Sequence, residues 1–166
     1  MKDSKGIIKN LLIGMAGVIF LTCLDQFTKI LAVKYLMHQP SMEILPGIFE
    51  LTYLENRGAA WGILKNQQWI FLIATALISS MVIYLYVKSI PQTRYRIFRI
   101  LCVILLAGAF GNAYDRLFRG YVIDFFYFSL IDFPVFNVAD CFVTMSIAAG
   151  LLIYREEVLR WMKSES

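Results

Sequence analysis

Four long apolar runs, 11–33, 69–87, 97–117 and 138–154, alternate with shorter mixed segments along the chain. Each approaches the roughly 20 residues a helix needs to cross about 30 Å of hydrocarbon, so the pattern predicts an all-α integral membrane protein with four transmembrane helices. The second run carries no charge, whereas the first contains Asp25 and Lys29, the third Arg99, Asp115 and Arg116, and the fourth Asp140. Between the first two runs the period changes. Phe49, Leu51 and Tyr53 alternate with Glu50 and Thr52 after the turn signal Pro46-Gly47, which predicts a half-buried strand over 48–53. Residues 59–64 read as a short amphipathic helix at the headgroups, with Trp61 as an interfacial anchor. The segment 118–137 is rich in Phe and Tyr and broken by Gly120 and Pro134. Together the two segments predict a small extracytoplasmic β cradle on the membrane surface. No internal repeat or linker divides the chain, so residues 1–166 are expected to form one membrane-embedded domain.

Lys2, Lys5 and Lys9 precede an apolar run in the manner of a signal peptide. No small-residue cleavage pattern follows, and Asp25-Gln26-Phe27-Thr28-Lys29 does. The expectation is a retained first helix that starts near Asn10.

Composition agrees with the membrane class: 59% of the residues are hydrophobic and 17% charged, richer in apolar and poorer in charged residues than an average soluble domain. The net charge of +4 is explained by where the basic residues fall. With a cytoplasmic N-terminus, Lys2, Lys5, Lys9, Lys88, Arg94, Arg96, Arg99, Arg155, Arg160 and Lys163 all lie inside, leaving six of the sixteen for the first span and the outer segments. Both termini are then cytoplasmic, and membrane lipids rather than nucleic acid are the expected surroundings. Cys23, Cys102 and Cys141 sit in apolar runs without metal or redox spacing, so they are expected to pack as small hydrophobes.

This topology gathers the polar residues at one depth. Asp25 lies fourteen residues beyond Leu11, about 21 Å along a helix rising 1.5 Å per residue. Asn112 and Arg116 fall at about 22 to 28 Å along the third helix by the same rise. Asp124 follows in the outer segment, and Asp140 opens the fourth helix.

An ionisable group at membrane depth is costly, and therefore a functional candidate. Asp124 and Asp140 are the pair of interest, because two carboxylates sharing one proton can hydrolyse an amide: one activates water while the other donates to the carbonyl. Asp124, flanked by Val122, Ile123, Phe125 and Phe126, suits the protonated role. Asp140, near a helix N-terminus, suits the charged one. Plainer readings stand beside these. An aspartate in a first helical turn is as often simply a cap, and Asp25 with Lys29, spaced i, i+4, forms a self-neutralising pair. Arg116 beside Asp115 serves equally as an interface anchor, and Ala107, Gly108 and Gly111 allow close helix packing. The lone His38 lies in a loop, which leaves a Ser-His or Cys-His unit unsupported. A proton or ion pathway, a non-enzymatic scaffold and a Ser-Lys hydrolase using Lys29 remain as other classes.

Several blocks in order resemble the lipoprotein signal peptidase (signal peptidase II) family over essentially the whole chain. They are Asp25-Gln26-x-x-Lys29, Asn56-x-Gly58-Ala59-Ala60, Gly108-Ala109-x-Gly111-Asn112-x-x-Asp115-Arg116, Gly120-x-Val122-x-Asp124-Phe125 and Phe136-Asn137-x-Ala139-Asp140. The resemblance implies an aspartyl endopeptidase of the bacterial cytoplasmic (inner) membrane. It would cleave diacylglyceryl-modified prolipoproteins just before the lipidated cysteine, near the extracytoplasmic face, with Asp124 and Asp140 as catalytic dyad. It further implies that Asn112, Arg116 and Asn137 hold substrate and dyad, and that Asp25, Lys29 and Asn56, with Gly58 and Asp115 of the same blocks, support the site. Neither a metal nor another cofactor is expected, and the enzyme is expected to act as a monomer. One departure is Trp61, where the family more often has Phe. The 56–64 segment is expected to cover the site.

Overall fold

A computed structural model of the chain describes residues 2–58 and 67–155. The expected interfacial helix at 59–64, including Trp61, lies outside the described residues.

Among the described residues, four α-helices and three strands run in the order α1 (Lys2–Leu36), β1 (Met42–Leu45), β2 (Phe49–Asn56), α2 (Gln68–Ser89), α3 (Arg96–Phe118), β3 (Val122–Tyr127) and α4 (Val138–Ile153). α1 does not begin near Asn10 as expected. It extends back to Lys2, because nothing in that stretch stops a helix: proline is absent, lysine is a good helix former, and the Asn10 side chain donates to the Gly6 carbonyl one turn earlier at 2.9 Å. Among the described residues, three helical segments are long and apolar enough to cross a membrane: Ser4–Leu36, Gln68–Ser89 and Thr93–Phe118. α4 is equally apolar but has 16 residues, about 24 Å of helix.

The bundle is inside-out by the standard of a water-soluble protein. Phe20, Leu77 and Leu152 are 68%, 68% and 76% exposed, whereas Asp25, Lys29 and Asp115 are fully buried. Water would not tolerate so much bare hydrocarbon around so polar an interior; lipid does. Short Pro91-containing connections let α2 and α3 return as neighbours, and α3 packs against the other three helices. Close approach depends on missing side chains. A Cβ on Gly108 would meet the Ala139 carbonyl oxygen at 2.4 Å, and one on Gly111 would meet Asp25 Oδ2 at 2.5 Å. The small residues of α3 therefore set its distance from α4 and α1, as their helix-packing reading anticipated.

The strands form one antiparallel sheet in the order β1-β2-β3. Gly47, at φ +68°, turns the chain from β1 into β2, a conformation that costs glycine little. β2 continues beyond the expected 48–53 because its end pairs with β3, Glu55 opposite Ile123 and Asn56 opposite Val122. β1 has no distinctive signal: it is four residues long and exposed throughout. The sheet rests on the C-terminal end of α1, where Ala32 and Leu36 pack with Ile123 and Phe125. Phe136 is held to Phe126 by backbone bonds of 2.8 and 3.0 Å, which places the start of α4 beside β3.

Gly108→Val should lower the thermal midpoint in detergent by the equivalent of about 1–3 kcal/mol, the usual effect of overpacking. Gly6→Ala, with nothing within 4 Å of the added carbon, should leave it unchanged or raised. Equal midpoints for the two variants would contradict the close α3–α4 contact.

Candidate functional site

Asn137 organises the meeting of β3 and α4. It is the N-cap of α4 in an extended conformation, and its side-chain oxygen accepts from the Asp140 backbone N–H at 3.0 Å. In return Asp140 Oδ2 accepts from the Asn137 backbone N–H at 3.0 Å, the reciprocal arrangement of a capping box. The Asn137 amide nitrogen points the other way and donates to Asp124 Oδ1 at 2.6 Å. One buried asparagine thus touches both carboxylates. Asp140 does belong to a cap, but the cap uses only one of its oxygens.

The second oxygen of each aspartate has its own donor. Asn112 Nδ2 donates to Asp140 Oδ1 at 2.8 Å, and Asn56 Nδ2 donates to Asp124 Oδ2 at 2.9 Å. The direction of both amides is dictated by their other ends. Asn112 Oδ1 accepts from Lys29 Nζ at 2.9 Å, and an ammonium can only donate. Asn56 Oδ1 accepts from the Gly58 N–H at 2.9 Å. Asp124 is 2% exposed and Asp140 half-buried. Burial first, and then the neighbouring Asp140 charge, push the Asp124 carboxyl up to about 7, against the pull of its bonds from Asn56 and Asn137.

Beneath this layer lies a buried ion cluster. Lys29 Nζ sits 2.9 Å from Asp25 Oδ2 and 2.9 Å from Asp115 Oδ2, with all three side chains fully buried. Asp25 and Lys29 do pair along α1, but the lysine is shared with α3. Arg119, the C-cap of α3, pairs with Asp115 and donates to Gln26 Oε1 at 2.9 Å. Gln26 Nε2 reaches Asp115 Oδ1 at 3.1 Å and the Gly111 carbonyl at 3.2 Å. The cluster also grips backbone: Asp25 Oδ1 accepts from the Ala139 N–H at 2.9 Å and Asp115 Oδ2 from the Ile123 N–H at 3.3 Å. Those two residues adjoin Asp140 and Asp124. Gln26 and Arg119 were not among the expected site residues; the i, i+4 spacing of Asp115 and Arg119 is the signal that points to the second.

Both aspartates line a groove of about 780 Å³ whose apolar walls include Phe71, Ile78 and Val143. Arg116 stands at its polar end, its guanidinium 4.5 Å from the Phe71 ring centroid and donating to the Gly58 carbonyl at 3.2 Å. Among the described residues no three His, Cys, Asp or Glu side chains converge as a metal-ligand group.

A family profile described as Signal peptidase (SPase) II matches residues 17–156. The chain belongs to the signal peptidase II family. The lipoprotein signal peptidase of Caldanaerobacter subterraneus subsp. tengcongensis is 42% identical over 141 residues, covering 83% of this chain and 94% of that protein. The lipoprotein signal peptidase of Streptococcus thermophilus strain CNRZ 1066 is 35% identical over 141 residues, covering 85% of this chain and 91% of that protein. Among solved structures, a bacterial membrane enzyme at 2.3 Å resolution superposes with a TM-score of 0.76 at 28% identity, covering 88% of this chain and 89% of the other. Family membership and the apolar helices together make this a membrane-bound protein.

Lys29→Met removes the cation shared by two buried carboxylates and should destabilise the protein by about 3–5 kcal/mol in detergent unfolding, the cost of stranding a buried charge. Arg57→Gln, which breaks an exposed pair with Glu55, should change stability by less than about 1 kcal/mol. Similar losses in the two variants would rule out a special role for the cluster.

Proposed function

We propose that the chain is an aspartyl endopeptidase that removes the signal peptide from diacylglyceryl-modified prolipoproteins, cutting before the lipidated cysteine. The observation that carries the reading is that Asn137 bridges Asp124 and Asp140 and both carboxylates line one apolar groove. Burial and the charge of Asp140 favour the protonated form of Asp124, so that the pair carries one proton. With that proton on Asp124, ionised Asp140 takes a proton from water as its oxygen attacks the scissile carbonyl carbon, and Asp124 protonates the carbonyl oxygen. Collapse of the tetrahedral adduct breaks the C–N bond, the amine nitrogen receiving the proton from Asp140 while an adduct hydroxyl returns one to Asp124, which restores the singly protonated dyad. The groove walls take the apolar part of the substrate, and Arg116 with the Gly58 carbonyl offers polar contacts at one end.

In this reading all four helices span, α4 included, and both termini are cytoplasmic, in accord with the basic residues at the inner helix ends. The dyad then lies near the extracytoplasmic face of the bacterial inner membrane, at the depth where a lipid-anchored cysteine holds its peptide bond. Residues 1–166 act as one domain and as a monomer, with membrane lipids and prolipoprotein as the partners.

Asp124→Asn and Asp140→Asn should each reduce cleavage of a lipidated prolipoprotein at least about a thousandfold while the purified variants remain folded. Turnover by either variant would defeat the dyad.

The raised Asp124 carboxyl also fixes a sign. Between the ordinary value of 3.8 and about 7, the folded protein holds a proton that the unfolded chain releases. Stability should therefore fall as pH rises through that window, and cleavage should decline above about 7 as the dyad loses its proton. Asp124→Asn should flatten the stability slope; an unchanged slope would show that another group sets it.

A further inference from the structure

A larger cavity, about 990 Å³, lies toward the opposite end of the bundle, lined by α1, α3 and α4 with Tyr86 of α2. Its chemistry is divided along its length. At one end stand Lys9, Arg96 and Arg99, and none of the lining residues is acidic. Lys9 and Arg96 are exposed, while Arg99 is steadied by donating Nη1 to the Ser89 and Gln92 carbonyls at 2.8 and 3.1 Å. From there the trough continues along Ile13, Gly17 and Leu21 of α1 with Ile100 and Ile104 of α3. Lys9 to Leu21 spans about 18 Å of helix, slightly more than the roughly 15 Å that one leaflet contributes to the hydrocarbon core. Glycine keeps this side of α1 low: a Cβ on Gly17 would lie 2.9 Å from Val103 Cγ1.

We propose that this groove binds an anionic phospholipid from the leaflet opposite the Asp124–Asp140 site, its phosphate among Lys9, Arg96 and Arg99 and one acyl chain along Ile13, Gly17 and Leu21. Charge complementarity selects the occupant. A zwitterionic lipid fills the trough equally well but brings a cation toward three others, whereas an anionic headgroup brings net charge of the right sign. The proposal concerns binding alone and stands or falls independently of the peptidase reading.

The test titrates the full-length protein in detergent with phosphatidylglycerol or with phosphatidylcholine of the same acyl chains and counts bound lipids by native mass spectrometry. Phosphatidylglycerol should saturate one site and bind at least about 10-fold tighter than phosphatidylcholine, given the attraction each basic residue contributes. The double variant Lys9→Gln/Arg96→Gln should lose about 10-fold in phosphatidylglycerol affinity, with phosphatidylcholine binding and prolipoprotein cleavage in phosphatidylcholine unchanged. Phosphatidylglycerol with a photoreactive diazirine on its acyl chain should label Ile13 and Met145 of the groove in preference to Leu77 on the bare face of α2. Equal affinity for the two lipids in the wild-type protein, or labelling of Leu77 as strong as that of Ile13, would overturn the proposal.

Discussion

The ammonium of Lys29 is the point on which the architecture turns, because its side chain is fully buried and its charge must be met by protein groups alone. It faces Asp25 on its own helix and Asp115 on α3, both fully buried like itself, and the half-buried Asn112 side-chain carbonyl. A lone cation there would carry a desolvation penalty of several kcal/mol, which the surrounding oxygens offset only when every distance is short. The same carboxylates then reach past the lysine to backbone N–H groups of Ile123 and Ala139. A charge requirement inside the bundle is thereby converted into fixed positions for β3 and for the first turn of α4.

Those two positions are one residue away from Asp124 and Asp140. Asn137 completes the arrangement by capping α4 with one end of its amide and holding Asp124 with the other. The carboxylates are thus steered by short-range backbone chemistry, a strand pairing and a helix cap, while the orientation of Asn112 is set by the cation below. Rigidity follows from the donors being shared: no side chain of the layer can rotate without leaving a buried partner unpaired.

Much of this was legible in the chain. The apolar runs predicted the helices well, since lipid length leaves little choice of element, and the alternation of Phe49, Leu51 and Tyr53 marked β2. The limits are equally physical. Hydropathy places the start of α1 near Asn10 because the apolar run begins there, whereas the helix itself reaches back through Lys9 and Lys5 to Lys2. β1 escaped notice because an exposed four-residue strand owes its form to the hairpin with β2 rather than to its own pattern. Spacing suggested Asp25 with Lys29 as a self-contained pair, but which third group joins them depends on how α1 and α3 cross. Gln26, which bonds Asp25, Gly111, Asp115 and Arg119, stands in one of the resembling blocks but has no charge or spacing that marks it as a link.

The ion cluster is assembled from two couples that are each local in sequence. Asp25 and Lys29 belong to one helix, Asp115 to another whose C-cap is Arg119, and both couples have the i, i+4 separation that lets opposite charges meet on one side of a helix. Each helix therefore brings its own counterion into the bilayer before it finds its neighbour. Docking α3 on α1 exchanges partners among four charges whose sum is already zero, so the most polar region of the protein can be built in lipid without an unbalanced ion ever crossing it alone.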